Sequence, residues 1–215
     1  MRFRPLLIVF LLLLGFSIPF NAVAHPHNWV DLRVEVRFDK DGRALGLFHK
    51  WLFDDIYSVT ITEGMDGDGD GMPDRPRLDE LQKSVVNNLK KYTYFTKVEQ
   101  DGKGVSFGPV SQEAMTMYVD RLEFSFFLPF ITPLDLRHSP LNYRVFDPGY
   151  YIEMLHAESK DAVVLRDAPD GCSYRLQQPK PDPKKIAYAA SLPPGADGGD
   201  LGRFFTEKVV VKCPN

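Results

Sequence analysis

Three aspartates alternate with glycines in Asp66-Gly67-Asp68-Gly69-Asp70-Gly71. Alternation turns three carboxylates to one side of a tight loop, and hard oxygen donors in that arrangement suit calcium. The run matches the first half of an EF-hand loop, with Asp66, Asp68 and Asp70 as the first three ligands and Gly71 at the sharp bend. Met72 would add its main-chain carbonyl, and Asp74 follows at the next ligand position. The closing position, which asks for a bidentate glutamate, holds Arg77. Asp79 and Glu80 come two and three residues later, so a slightly longer loop closes on Glu80 or on Asp79. Without a cation the carboxylates repel one another, and a solvated acidic turn is the competing reading. Sites of this kind in extracellular modules bind weakly, at about 10⁻⁴–10⁻³ M, and brace a fold rather than catalyse.

A second constellation is His25, His27 and His49. Neutral imidazole suits zinc, copper, nickel and cobalt. If the chain is cut after Ala24, His25 offers both its ring and a free α-amine. Pro26 has no amide N–H, which excludes a square-planar site built on a deprotonated amide there. An amine–imidazole brace remains, joined by His49 if a hairpin sets that residue opposite the start of the first strand. Asp31 and Asp54 are the nearby carboxylates. An exposed terminus plus a strand histidine beside Trp51 is the plain alternative.

Other chemistry is weaker. His138, in Arg137-His138-Ser139-Pro140, reads as a surface-loop residue, and His156 ends a strand. Tyr143, Phe146, Tyr150 and Tyr151 surround Asp147-Pro148-Gly149, which reads as aromatic packing around a turn with Asp147 as a carboxylate to watch. Neither a nucleophile elbow, a glycine-rich phosphate loop nor H-E-x-x-H occurs, so the pattern points away from an enzyme.

These residues need elements to hold them. Asn28–Phe38 alternates apolar Leu32, Val34, Val36 and Phe38 with Arg33, Glu35 and Arg37, the period of a half-buried strand. Asp39-Lys40-Asp41-Gly42 turns the chain and Ala44–Phe53 returns, so the chain expected after cleavage opens with a hairpin. Asp54–Thr62 reads as a short helix. Leu78, Leu81, Val85, Val86 and Leu89 recur at helical spacing and predict an amphipathic helix over Leu78–Lys91. Strands are expected at 95–100, 105–108, 114–120, 122–129, 143–146, 150–156 and 205–211, with weaker ones at 162–165 and 173–176. A short helix is expected at 184–192. The fold class is α+β: a β-rich single domain of antiparallel strands, an N-terminal hairpin and one prominent helix after the acidic loop.

The 215 residues carry 26 Lys and Arg against 29 Asp and Glu, with 44% hydrophobic residues and two cysteines. That is one domain with a real core, and no basic excess of the kind nucleic acid requires. The first 24 residues hold Arg2, Arg4, the apolar run Leu6–Leu14 and Ala22-Val23-Ala24, the pattern of a cleavable signal peptide. Cleavage leaves residues 25–215 as a single periplasmic domain without a membrane span, with 24 bases against 29 acids and a charge of −5. In an oxidising compartment Cys172 and Cys213 are expected to pair.

Taken in order, several segments resemble one bacterial family. They are His25-Pro26-His27-Asn28-Trp29-Val30, His49-Lys50-Trp51-Leu52-Phe53-Asp54, the acidic loop, Tyr92-Thr93-Tyr94-Phe95, Phe146-Asp147-Pro148, Gly171-Cys172-Ser173 and the closing Val-Val-Val-Lys-Cys. The family is domain-of-unknown-function family 1007, described as the periplasmic component of an ABC-type transport system. The resemblance spans nearly all of the mature chain. It implies a periplasmic accessory protein beside an inner-membrane metal permease or ABC transporter. It also implies that the loop ends in an acidic pair, with Pro73–Arg77 as a small insertion, which favours Glu80 over Arg77. The combined expectation is a periplasmic protein holding zinc, nickel, cobalt or copper at His25, His27 and His49. Calcium at Asp66, Asp68, Asp70, Met72, Asp74 and Glu80 braces it. The alternative is a calcium-stabilised envelope interaction module with no transition-metal role.

Overall fold

A computed structural model describes residues 26–193, 196 and 198–214; the leader and His25 lie outside them. Strand β1 (Asn28–Phe38) and β2 (Ala44–Phe53) form the expected hairpin. Helices α1 (Asp55–Thr62) and α2 (Arg75–Lys90) follow. Next come β3 (Thr96–Gln100), β4 (Lys103–Gly104), β5 (Ser111–Tyr118), β6 (Arg121–Leu134), β7 (Leu141–Val145), β8 (Ile152–His156), β9 (Val163–Arg166) and β10 (Ser173–Gln177). Helix α3 (Pro183–Ser191) and β11 (Lys208–Lys212) close the chain. One sheet runs β5-β6-β2-β1-β8, with β9 also on the β1 edge, and the other runs β10-β11-β7-β3-β4. The pairings are antiparallel except that β8 and β9 both run parallel to β1. Those parallel neighbours are reached by long connections, as parallel pairing demands.

Alternation does the building. Val30, Leu32, Val34 and Val36 of β1 are all buried, as are Leu47, His49, Trp51 and Phe53 of β2. Phe124, Phe126 and Leu128 of β6 continue that face, and Val98, Leu141, Tyr143, Val209 and Val211 of the second sheet meet it in one core. Position 46 admits only glycine for a steric reason. A Cβ there would sit 2.4 Å from the Leu128 carbonyl oxygen and 2.8 Å from the Pro129 Cα.

Helix α2 starts three residues earlier than its apolar periodicity indicated, because Pro76 sits in its first turn, where a missing N–H costs nothing. Residues 75–77 therefore form the first turn of the helix, with Asp74 as its N-cap. The helix ends in a chain reversal that no residue type announced. Thr93, Tyr94 and Phe95 take φ of 55°, 52° and 53°, a left-handed turn without glycine. Each such residue costs about 1–2 kcal/mol. Packing offsets it: Tyr94 is buried and Phe95 stacks on Trp51 with ring centres 6.2 Å apart. This turn displaces Phe95 from the strand expected at 95–100. The strand expected at 105–108 is replaced by two-residue β4 and a single Phe107–Phe130 bridge to β6, as the chain crosses between sheets.

Cys172 and Cys213 form a disulfide across a separation of 41 residues. It lies beside the Ser173–Lys212 pair, so it ties the open end of the β10–β11 ladder. No helix among the described residues is long and apolar enough to cross a membrane.

Candidate metal centre

The acidic loop connects α1 to α2. Its aspartates fold it through Asx turns, side-chain acceptors taking nearby main-chain N–H groups. Asp66 accepts from Gly69 N at 2.7 Å and from Gly71 N at 3.0 Å. Asp68 accepts from Asp70 N at 3.2 Å, and Asp70 from Met72 N at 2.8 Å. Gly69 and Gly71 take φ of 78° and 89°, which the loop needs to bring the acids round. Carboxylate oxygens of Asp66, Asp68 and Asp70 then lie within 4.8 Å of one another, all three residues exposed. Among the described residues no other His, Cys, Asp and Glu side chains form such a group. Hard oxygens converging on one point fit a calcium ion completed by carbonyls and water.

The remaining expected ligands are placed otherwise. Asp74 accepts from Gly67 N at 3.2 Å and pairs with Arg77 at 3.4 Å, outside the triad. Arg77 also donates to the Gly64 carbonyl at 2.9 Å, so the residue at the closing position staples the loop's ends instead of ligating. Asp79 is held by Arg75. Glu80 projects from α2, exposed, and is not part of the carboxylate group. Met72 is exposed with its N–H turned to Asp70. The half-loop is assembled and the second half is not, because α2 begins at Arg75 and carries the later acids onto its surface.

The histidine set is not brought together. The ladder pairs His49 with Val34, not with the start of β1. Seven residues separate Val34 from His27, about 23 Å at roughly 3.3 Å per residue. His49 is 0% exposed, stacked on Phe126 at 4.8 Å and edge-on to Trp51. Neither ring nitrogen has a hydrogen-bond partner, and burial first, then the nearby His156, pushes its pKa down to about 3. His49 is therefore a core residue, and its place in the proposed metal set is corrected. His27 is half-buried, its N–H on the Tyr151 carbonyl at 2.9 Å and its ring 4.7 Å from that tyrosine.

The accompanying carboxylates are structural. Asp31 pairs with Arg121 at 2.9 Å. Asp147 shapes its turn by accepting from Gly149, Tyr151 and Ile152 N–H groups. Asp54 caps α1 through Tyr57 N at 2.8 Å and anchors β1 through Trp29 N at 2.9 Å. Asp54→Ala is expected to cost about 1–2 kcal/mol, read as a lower urea midpoint at unchanged slope. A loss of metal affinity instead would contradict the structural assignment.

Between the sheets lies a polar chain that no sequence signal identified. Glu207 Oε2 accepts from the His156 main-chain N at 2.6 Å and lies 2.7 Å from its Nδ1. His156 Nε2 is 3.0 Å from the Tyr143 hydroxyl, and Gln178 donates to Glu207 Oε1 at 2.6 Å. Burial drives the Glu207 carboxyl up, but the hydrogen bonds and charge of His156 outweigh it and leave the group below its ordinary range. Burial, then the Glu207 charge, holds the Tyr143 hydroxyl well above its usual value. With His156 and Glu207 side chains 1% and 5% exposed, the chain links β7, β8 and the start of β11.

The sequence profile of DUF1007, described as a protein of unknown function, matches residues 9–213. An uncharacterized protein of Haemophilus influenzae is 27% identical over 205 residues, covering 94% of this chain and 97% of that one. An uncharacterized 15.5 kDa protein in the trpE 3' region of Spirochaeta aurantia is 28% identical over 137 residues, 59% of this chain and 96% of its own length. No solved structure matches.

Proposed function

The chain belongs to the DUF1007 family of proteins of unknown function, and from there we propose that it is a periplasmic, calcium-stabilised interaction module of the envelope. Its partner is an inner-membrane metal permease or ABC transporter. The observation that carries the reading is the convergence of Asp66, Asp68 and Asp70 within 4.8 Å on a loop already folded by its own hydrogen bonds. Calcium there fixes α2 against α1 and leaves the sheets to bind a partner without catalysis. The disulfide supports an oxidising compartment, and the leader-like start supports export.

Calorimetric titration of the mature protein with calcium tests this. One site is expected, with Kd of about 10⁻⁴–10⁻³ M. Asp66→Asn with Asp68→Asn should abolish it, while Glu80→Gln should leave it within about twofold because Glu80 stands apart from the triad. Equal heats in wild type and the double variant would sink the reading.

A transition-metal role rests on His25, His27 and the free α-amine alone. What favours it is the position of His27 at the outer end of β1, half-buried beside Tyr151. Tag-free mature protein titrated with zinc, nickel, cobalt and copper separates the two readings. Affinity lost in His25→Ala/His27→Ala and retained in His49→Leu supports delivery of a metal; equal affinity in all three rejects it.

A further inference from the structure

Two clefts adjoin at the left-handed turn that ends α2. The first, about 280 Å³, is walled by Tyr92, Phe95, Phe107 and Phe146, with Lys97 among its lining residues. The second, about 550 Å³, is bounded by Lys90, Tyr94 and Pro109. They share Thr93, Val105 and Phe107 as lining residues, so the two are neighbours on one surface. The larger cleft falls within the range of small-molecule sites, about 300–1,000 Å³, and the smaller lies just below it.

Three observations single this place out. Thr93, Tyr94 and Phe95 line it in a backbone conformation that only surrounding packing sustains, and such strain concentrates at ligand clamps. The walls are aromatic and aliphatic, with Tyr92 half exposed and its ring 5.6 Å from Phe95. The two linings contain Lys90 and Lys97 and no Asp or Glu, on a chain whose net charge is −3; the nearby acids are Glu99 beside Lys97 and Glu113 near Tyr94. Lys90 has no ion-pair partner among the described residues. Lys97 meets only Glu99, at 3.0 Å in an exposed pair that competes weakly for its charge.

We propose that this groove binds a single-chain anionic amphiphile, a medium-chain fatty carboxylate. Its alkyl chain lies along Phe95, Val105 and Phe107, and its carboxylate meets Lys90 or Lys97. Two neighbouring clefts with apolar side chains in common suit a flexible chain better than a compact ring, and the lysines select the head-group sign.

Trp51 stacks on the back of Phe95, so it reports occupancy. The chain has two tryptophans, and Trp29→Phe leaves Trp51 as the sole tryptophan, excited at the red edge where tyrosine does not absorb. That protein, with its loop calcium present, is titrated with sodium dodecanoate below its micelle concentration and with dodecyltrimethylammonium. Dodecanoate is expected to give a saturable one-to-one change in emission, with the cationic analogue at least about tenfold weaker. Phe107→Asp should weaken dodecanoate at least about tenfold. The exposed pair Lys90→Glu/Lys97→Glu, which leaves the core intact, should abolish the preference for the anion. The proposal is overturned by a linear, non-saturating response to dodecanoate, or by equal affinity for the two head groups. Unchanged preference in the folded lysine variant overturns it as well.

Discussion

At pH 4.5 the protein is expected to be less stable than at pH 7 by about 3 kcal/mol, and His49→Leu is expected to remove most of that loss. The cause is the buried imidazole. His49 titrates near its ordinary value of 6.5 in the unfolded chain and at about 3 in the folded one. Between those values the unfolded state holds a proton that the folded state does not, so stability rises with pH across the window. Its contribution is complete above pH 6.5 and falls by about 1.4 kcal/mol per pH unit below it. Reaching pH 3 would cost roughly 5 kcal/mol, a large part of a typical domain's stability. Glu207 has the same sign but a lower window. Its carboxyl is held below the ordinary 4.5, so its contribution is present above that value and is lost only as pH falls further. The interval from 6.5 to 4.5 therefore isolates His49. At pH 7 His49→Leu is expected to be at least as stable as wild type, because it removes two buried nitrogens without partners. Urea titrations at half-unit pH steps check both statements; parallel curves for the two proteins would contradict them.

The second large effect is the disulfide. Replacing Cys172 and Cys213 by alanine is expected to cost about 4 kcal/mol on the chain-entropy estimate for a loop of this size. In a chain of this length that is a fall in melting temperature of roughly 8–16 °C. The loss should begin at the β10–β11 ladder, because β10 is an outer strand paired only with β11 and the bond closes its open end. Hydrogen exchange is expected to show β10 amides unprotected in the variant while those of β1 and β2 stay protected. A variant melting within about 3 °C of wild type would assign the pairing no stabilising role.

The hairpin was readable because one face of it is buried and the period of two leaves no other solution. The same parity places His49 with Leu47, Trp51 and Phe53, so its burial was in principle legible. What hid it was register. The hairpin's register sets Val34 opposite His49, at the middle of β1 and far from its start, and the irregularity at Arg37 and Phe38 changes that by a single residue. The acidic triad was readable because loop-forming glycines and ligands share one short segment. Its closing ligand was not, because Pro76 starts α2 early and turns the later acids away from the loop. The Glu207–His156–Tyr143 chain and the left-handed turn at Thr93–Phe95 depend on contacts between distant strands, and no residue type in either announces them.

The central claim is that calcium at Asp66, Asp68 and Asp70 braces the fold. The most direct measurement is the melting temperature of the protein expressed from residue 25 in excess EGTA and in calcium at about 100 times Kd. Linkage predicts about 2.7 kcal/mol of added stability, a rise of roughly 5–11 °C that is absent in Asp66→Asn/Asp68→Asn. A melting temperature unchanged by calcium, or one that rises equally in the double variant, would contradict the account.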